Sequence, residues 1–275
     1  MGILHAILLG IIQGLTEFLP ISSSGHLALA EKIFGLDSGG FLLVSVLHLG
    51  TLIAVFIAFR KTIWELIRAL CSLVRDIFTG KFSWKRAKSA QKMIIFLIVS
   101  LIPLFFILPI KDYIEQLTSI TWAVGIALII TGIVLFISDR LPAGGKKTKE
   151  LRFRDAAVVG IAQAIAVVPG ISRSGSTITA GLACGMDRSY AAKYSFILSI
   201  PTILAGAAIS LKDGIEEGID TSMIPTYIIG LTVSAIVGFF AIKLLQYLLK
   251  SKKFFIFALY CVVVGVIAVI AGLVL

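Results

Sequence analysis

The sequence contains little charge for its length. Charged residues make up 15% of its 275 residues and hydrophobic residues 58%, whereas about 25% of the residues in a soluble domain are charged. So few charges cannot cover the water-facing surface of a chain this long. The composition therefore argues against a soluble helical bundle and predicts an integral membrane protein.

Cysteine is also scarce, and a cleavable leader is not evident. Cys71, Cys184 and Cys261 are widely spaced, with no CxxC pair, so we expect free thiols packed as small apolar side chains and not metal ligands. Residues 1–12 are apolar, but no basic segment precedes them and no small-residue cleavage site follows. We therefore expect the N-terminus to remain part of the working protein.

Long apolar blocks are abundant instead. A helix needs about 20 mainly apolar residues to cross a hydrocarbon core about 30 Å thick, and several blocks are long enough. Together with the basic loops described next, they predict six transmembrane helices. These lie at about 41–60, 91–110, 119–138, 189–211, 222–248 and 253–275.

The net charge of +10 comes largely from basic loops between these blocks. Residues 60–92 carry nine Lys and Arg, residues 140–154 carry six, and Lys250, Lys252 and Lys253 form a third cluster. Cytoplasmic loops are enriched in Lys and Arg, so six spans would place all three clusters in the cytoplasm. An acidic loop between the fourth and fifth spans and both termini would then lie outside. This pattern indicates a lipid bilayer as the partner and no nucleic acid.

Two further stretches, residues 1–36 and 151–187, are apolar at both ends and broken in the middle. The breaks read PISSSG at 20–25 and PGISRSG at 169–175. Unwound backbone at membrane depth is tolerated only where protein or a water-filled cavity satisfies its polar groups. Both stretches are therefore predicted to be re-entrant helix–loop–helix hairpins.

The two hairpins also match each other in sequence. At a shift of 150 residues, eleven of the 32 positions from 6 to 37 are identical. The halves 1–139 and 151–275 then each hold one hairpin and three spans, and an odd number of spans turns the second half upside down. We predict an all-α polytopic membrane protein, a single domain of residues 1–275 built as an inverted-topology repeat, with its site between the repeats.

The first break carries carboxylate, hydroxyl and imidazole groups. Gln13 and Glu17 are four residues apart and share a helix face. The stretch from Ser22 to His26 occupies the break and the start of the next helix. Ionisable groups at membrane depth are costly and indicate function, so Glu17, Ser23 and His26 are candidate catalytic residues.

The second break offers a fixed positive charge, hydroxyls and backbone N–H groups at a helix start. Helix N-termini attract anions, and the guanidinium of Arg173 can bind phosphate oxygens through two parallel hydrogen bonds. This combination suits a phosphate. The phosphate-binding set predicted from both breaks is Ser22, Ser24, Ser172, Arg173, Ser174 and Thr177.

Each of these residues also has a purely structural interpretation. Glu17 could form an ion pair with Arg173, the serines at 22–24 could cap the following helix, and His26 could be a satisfied core histidine. The role of His48, inside a predicted span, stays open. Function is favoured because these groups converge on two breaks that the repeat relates.

The segments QGLTEFLPISSSGHL at 13–27 and PGISRSGSTITAGL at 169–182 resemble the signature segments of the undecaprenyl-diphosphate phosphatase family linked to bacitracin resistance. The resemblance covers essentially the whole chain. It implies hydrolysis of undecaprenyl diphosphate in the bacterial plasma membrane, with a divalent cation, Mg²⁺ or Ca²⁺. The family's E/Q-xxx-E motif falls on Gln13 and Glu17, the candidate metal ligands. Many members carry Glu at the first position, so this chain offers one carboxylate fewer.

The resemblance and the residues together suggest a mechanism. Arg173 binds the phosphates, Glu17 holds the metal or acts as base, and Ser23 is the preferred nucleophile with His26 as proton carrier. A metal-bound water or His26 itself remains open as the nucleophile. The rival interpretation is a carrier that flips the lipid phosphate, because inverted repeats with broken helices are also a transporter layout. The site is expected to open to the extracytoplasmic side, and a homodimer is neither required nor excluded.

Overall fold

The structure is a computed structural model that describes residues 2–35, 41–142, 144–217, 221–249 and 254–274. The side chains at 41, 112, 211, 213–217 and 221 are also outside the description. The third basic cluster, the acidic side chains at 213–220, and Asp37 of the repeat comparison consequently lie outside the described residues.

The described residues form twelve α-helices, which are connected by turns, short 3-10 segments and two longer loops at 79–88 and 139–152. An isolated bridge between Lys146 and Met186 is the extended pairing among them. This part of the chain is therefore all-helical, as predicted. In order, the helices are α1 Ile3–Phe18, α2 Ser23–Ile33, α3 Phe41–Ala58, α4 Arg60–Phe78, α5 Ser89–Phe105, α6 Lys111–Glu115, α7 Thr121–Ser138, α8 Phe153–Ile165, α9 Arg173–Ala183, α10 Arg188–Glu217, α11 Ile224–Leu249 and α12 Phe254–Val274.

Five helical segments are long and apolar enough to cross a membrane, and they contain α5, α7, α10, α11 and α12. A sixth span is obtained if α3 and α4 are counted as one bent pair, since their axes differ by 88°. Each of the six predicted spans thus coincides with a long apolar helix or with α3. The described part of the chain is that of a multi-pass membrane protein.

Helix α4 lies where the sequence led us to expect a basic loop, and that prediction is wrong for residues 60–78. Apolar residues recur there at helical spacing, and Ile63, Ala69 and Leu73 are buried. Ala69 and Leu73 cluster with Ile94 of α5. The basic residues occupy the opposite face, so their density concealed an amphipathic helix.

Both predicted breaks are present between paired short helices, α1–α2 and α8–α9. The second helix of each pair begins in the same way. Ser22 accepts a hydrogen bond from the backbone N–H of Gly25 at 3.3 Å, and Ser172 accepts one from that of Gly175 at 3.0 Å. A serine whose hydroxyl accepts a hydrogen bond from the backbone N–H three residues later is a helix N-cap. Each break therefore ends at its serine cap, where the next helix begins.

The two broken pairs also pack alike. Helix α1 packs on α11, and α8 packs on α5. A Cβ atom added to Gly10 of α1 would lie 3.1 Å from the carbonyl oxygen of Gly230, and one added to Gly160 of α8 would lie 2.6 Å from that of Ser100. Small residues let helix backbones approach closely where lipid supplies little hydrophobic driving force. Gly10 and Gly160, which are 150 residues apart, serve that purpose in both halves.

Candidate active site

Glu17 is the centre of the polar cluster between the two breaks. Its side chain is 2% exposed, and it is the penultimate residue of α1. A buried carboxylate needs compensating partners, and Glu17 has them on several sides. It forms an ion pair with Arg173, and it accepts hydrogen bonds from Ser23 and Gln13.

Arg173 is the first residue of α9 and crosses from the second broken pair to the first. Its Nη2 atom pairs with Oε1 of Glu17, and its Nη1 donates to the hydroxyl of Thr202 on α10 at 3.4 Å. The side chain is 21% exposed. The structural interpretation of Glu17 and Arg173 as an ion pair is therefore realised here, while the guanidinium keeps an open side.

Ser23 is placed against the same carboxylate. It is the first residue of α2, and its hydroxyl donates to Oε2 of Glu17 at 2.7 Å. The preceding residue, Ser22, has a φ of 71°, a left-handed conformation that is unfavourable for a residue other than glycine. Such backbone strain costs roughly 1–3 kcal/mol and is concentrated at functional sites. The strained turn aims Ser23 back at α1.

The remaining serines of the two breaks form matching pairs. The hydroxyls of Ser22 and Ser24 are 3.3 Å apart, and those of Ser172 and Ser174 are 3.2 Å apart. Ser24 is exposed, whereas the other three are buried. The tips of the two breaks touch, because a Cβ atom on Gly25 would lie 2.9 Å from Cα of Gly170.

The hydroxyl of Thr177 is less available for phosphate binding than the sequence suggested. Its hydroxyl donates to the carbonyl oxygen of Arg173 at 2.8 Å and lies 2.7 Å from the hydroxyl of Ser195 on α10. A threonine inside a helix commonly bonds to the carbonyl one turn earlier. In this geometry Thr177 braces α9 against α10, so its predicted contact with phosphate would require that bond to break.

His26 does not face Ser23. Its Nδ1 lies 2.8 Å from the carbonyl oxygen of Ser22, and its Nε2 lies 2.9 Å from the hydroxyl of Tyr260 on α12, with the two rings stacked. Both ring nitrogens thus have partners away from the serine hydroxyl. The hydrogen bonds therefore favour Glu17 over His26 as the acceptor of the Ser23 proton.

Another histidine, His48 on α3, reaches the site. Its Nε2 is 3.5 Å from Oε2 of Glu17, and its Nδ1 lies 2.8 Å from the carbonyl oxygen of Val44. Thr202 is a second residue that the sequence did not single out. In the sequence, the one feature that marks His48 as a candidate is that it is a titratable group within an apolar span. The neighbouring residues do not show that it faces Glu17.

Gln13 supplies an observation that bears on metal binding. Its Nε2 donates to Glu17 at 3.0 Å, while its Oε1 is buried without a hydrogen-bond partner among the described residues. In that same part of the chain, no group of three or more His, Cys, Asp or Glu side chains is arranged to hold a metal. An amide oxygen, a carboxylate and a nearby hydroxyl are nevertheless the hard oxygen donors that Mg²⁺ and Ca²⁺ use. The site therefore contains oxygen donors of the kind that such a cation takes as ligands.

The arrangement combines a hydroxyl donating to a carboxylate with a guanidinium beside both. A hydroxyl whose proton has a nearby acceptor is an activated nucleophile, and a guanidinium neutralises phosphate charge. The cluster can therefore perform phosphoryl transfer.

Comparison with known proteins is consistent with this chemistry. The chain matches the family described as bacitracin resistance protein BacA over residues 6–267. The undecaprenyl-diphosphatase of Halothermothrix orenii is 42% identical over 275 residues, which cover 99% of this chain and 100% of the relative. That of Methanosphaera stadtmanae is 41% identical over 279 residues and covers both chains fully. Undecaprenyl-diphosphatase 2 of Bacillus thuringiensis is 38% identical over 98% of this chain and 97% of its own.

Proposed function

This chain belongs to the bacitracin resistance family, and we propose that it hydrolyses undecaprenyl diphosphate to undecaprenyl phosphate and inorganic phosphate in the bacterial plasma membrane. The single observation that carries the proposal is the contact of Ser23 with Glu17 beside Arg173. The substrate has an anionic head and a long isoprenoid tail. A site between broken helices of a membrane protein lets the tail stay in lipid while the head meets polar groups.

The proposed reaction is a phosphoryl transfer in two steps. Arg173 leaves Glu17 and binds oxygens of the terminal phosphate, which frees the carboxylate. Ser23 attacks the terminal phosphorus while its proton passes to Glu17, the bond to the bridging oxygen breaks, and Glu17 gives that proton to the departing undecaprenyl phosphate. Water then attacks the phosphoserine and passes a proton to Glu17. The bond between phosphorus and Oγ of Ser23 breaks, and Glu17 returns the proton to Oγ as inorganic phosphate leaves. Such transfers depend mainly on positioning and charge neutralisation.

Gln13 and Glu17 would hold a divalent cation in this scheme, Mg²⁺ or Ca²⁺. When bound, the cation would neutralise charge on the diphosphate. The support comes from the buried, unpartnered Oε1 of Gln13, which points to an oxygen-seeking ligand. His48 lies beside the same carboxylate oxygen of Glu17 that Ser23 contacts and helps to hold that carboxylate in place.

The architecture that accompanies this function is an inverted repeat with two re-entrant hairpins. The identical serine caps, the paired serine hydroxyls and the matching approach of Gly10 and Gly160 to their partner helices support it. Broken helices at corresponding positions of two halves usually bring a transporter's or enzyme's site to the repeat interface. Residues from both hairpins meet in the Glu17–Arg173 pair.

The function is tested by phosphate release from purified protein in detergent with undecaprenyl diphosphate. An enzyme releases inorganic phosphate there, whereas a carrier that flips lipid phosphate has no second compartment and releases none. We expect release that falls in excess chelator and returns when Mg²⁺ or Ca²⁺ is added. Protein that binds the lipid but never releases phosphate would favour the carrier.

Arg173→Lys is expected to retain the fold and lose about 10²–10³ in kcat, the usual cost of one transition-state contact. Lysine keeps the charge, but it cannot donate two parallel hydrogen bonds to phosphate oxygens. Phosphate release at saturating substrate measures the effect. Near-normal turnover would exclude the two-pronged contact. Thr202→Val serves as control, because it removes the 3.4 Å hydrogen bond to Arg173 and a bond within α10 to the carbonyl oxygen of Ser199 but leaves the guanidinium in place.

The cavity of this site is proposed to open outward, because the first hairpin brings Glu17 and Ser23 from the extracytoplasmic side. The check is cysteine labelling in intact cells after replacement of Cys71, Cys184 and Cys261. Ser24→Cys suits the purpose since Ser24 is exposed, and we expect it to react with an impermeant thiol reagent added outside. Lys85→Cys should stay unlabelled. The reverse pattern would invert the topology.

A further inference from the structure

An open cavity lined in part by basic side chains lies at the elbow where α3 turns by 88° into α4. It has a volume of about 350 Å³ and is lined by residues of the elbow together with Lys193 of α10 and Gln246 of α11. The two elbow residues that open α4 are Arg60 and Lys61. Helices α4 and α10 therefore bring three cationic side chains to one concave surface.

These cations are not balanced by nearby acids. Among the described residues, no carboxylate oxygen lies within 4 Å of the charged nitrogens of Arg60, Lys61 or Lys193. The contact that Arg60 does make is a 3.5 Å hydrogen bond to the carbonyl oxygen of Ile57. A concave surface that collects charge of one sign concentrates its potential and attracts a ligand of the opposite sign. The cavity is suited to an anion.

The neighbouring surface of α4 is apolar and uncovered. Most of its exposed apolar residues recur three or four positions apart, and they form a strip along α4. This strip lies between the face that packs on α5 and the basic face. A helix with this pattern lies in the plane of the membrane interface with its apolar side among acyl chains, and the 88° bend directs α4 across the direction of α3. The exposed residues are Trp64, Ile67, Leu70, Val74, Ile77 and Phe78.

We propose that the elbow is a binding site for an anionic phospholipid of the cytoplasmic leaflet, of the phosphatidylglycerol class. The phosphate lies between Arg60, Lys61 and Lys193, and the acyl chains extend along the apolar side of α4. Basic pockets between membrane helices on the cytoplasmic side characteristically bind such head groups. The cavity and the apolar strip are adjacent, which suits an amphiphile better than a free anion.

This site is separate from the cluster at Glu17. Phe59 lines the elbow cavity and packs on Phe196, whose ring packs on Phe18, the residue after Glu17. All three phenylalanines are buried. Buried rings therefore occupy the line between the two polar sites, and the elbow can be altered without touching the proposed chemistry.

Native mass spectrometry of the full chain in detergent tests the proposal with dioleoylphosphatidylglycerol and dioleoylphosphatidylcholine, which share their chains and phosphate. We expect a clear preference for the anionic lipid. The double variant Lys61→Gln/Lys193→Gln should bind it roughly 30-fold more weakly, about fivefold for each basic residue removed. Lys85→Gln/Arg86→Gln, which removes the same charge from exposed positions between α4 and α5, should change the affinity less than about twofold.

Three results would overturn the proposal. The first is equal binding of the two lipids, and the second is an equal loss of lipid affinity in the two double variants. The third is complete displacement of the lipid by millimolar inorganic phosphate, which would assign the cavity to a free anion. Thermal unfolding in detergent verifies that the variants are folded. If the double variant proves unstable, Lys193→Gln alone carries the test, and an unchanged affinity in that variant counts against the site.

Discussion

Ser23→Ala is expected to lower kcat for phosphate release by about 10⁴-fold or more, the scale seen when a nucleophile is removed from an enzyme. The hydroxyl of Ser23 is the one that donates to Glu17, at 2.7 Å. Alanine keeps the helix start and removes the attacking oxygen. Single-turnover and steady-state phosphate release with undecaprenyl diphosphate measure the loss.

The neighbouring serines provide matched controls. Ser24→Ala should be milder than Ser23→Ala, because Ser24 is exposed and its hydroxyl makes no contact with Glu17 among the described hydrogen bonds. Ser22→Ala should be milder than Ser23→Ala and should cost about 1 kcal/mol of stability through loss of the helix cap. Equal activity of Ser23→Ala and Ser24→Ala, or a phosphoryl group trapped on His26 and not on serine, would remove Ser23 from its role. His26→Ala should also reduce activity severely, through loss of the contact with Tyr260 that positions α2.

Glu17→Gln is expected to abolish activity at every metal concentration, a loss of at least about 10³-fold for removal of the proton acceptor. Glutamine preserves volume but leaves Ser23 and Arg173 without a carboxylate. Breaking a buried ion pair typically costs about 3–5 kcal/mol. Since Arg173 is 21% exposed, a stability loss nearer 3 kcal/mol is expected here. Phosphate release and thermal unfolding in detergent are measured on the same preparation.

The two measurements separate a catalytic carboxylate from a structural one. If Glu17 served only to hold the hairpins together, the folded fraction of Glu17→Gln would keep its turnover while the melting temperature fell. Gln13→Glu is the matched control. It should be tolerated and should tighten the dependence on metal, because it adds a carboxylate beside an oxygen-rich site. Undiminished turnover of the wild type in excess chelator would remove the cation from the scheme.

The sequence predicted the helical spans and the two breaks because those features depend on local properties. Twenty apolar residues must span a bilayer wherever they occur, and Pro with Gly interrupts a helix regardless of its neighbours. Helix α4 was missed for a local reason too. Nine basic residues between 60 and 92 resemble a cytoplasmic loop, and only the spacing of Ile63, Ala69 and Leu73 reveals the apolar face.

Among the side-chain partners within the site, the sequence suggested the ion pair of Glu17 with Arg173, because a carboxylate and a guanidinium at membrane depth need each other. It did not predict the contact of Ser23 with Glu17, although the two residues are only six apart. The orientation of His26 depends on Tyr260, which lies 234 residues away. Likewise, His48 reaches Glu17 only because α3 packs against α1. The sequence favoured His26 and left His48 open, whereas tertiary packing places His48, and not His26, against Glu17.

The pairing of Glu17 with Arg173 also imposes an order on biosynthesis. The partners are 156 residues apart, and at about 5–20 residues per second the ribosome needs roughly 8–30 s to make that stretch. During this interval Glu17 has no cation from the second half, and an unpaired charge is costly in lipid. We therefore expect the first broken pair to complete its insertion only after residue 173 has been made. A nascent chain released before that point would leave the Glu17 carboxylate without its guanidinium partner.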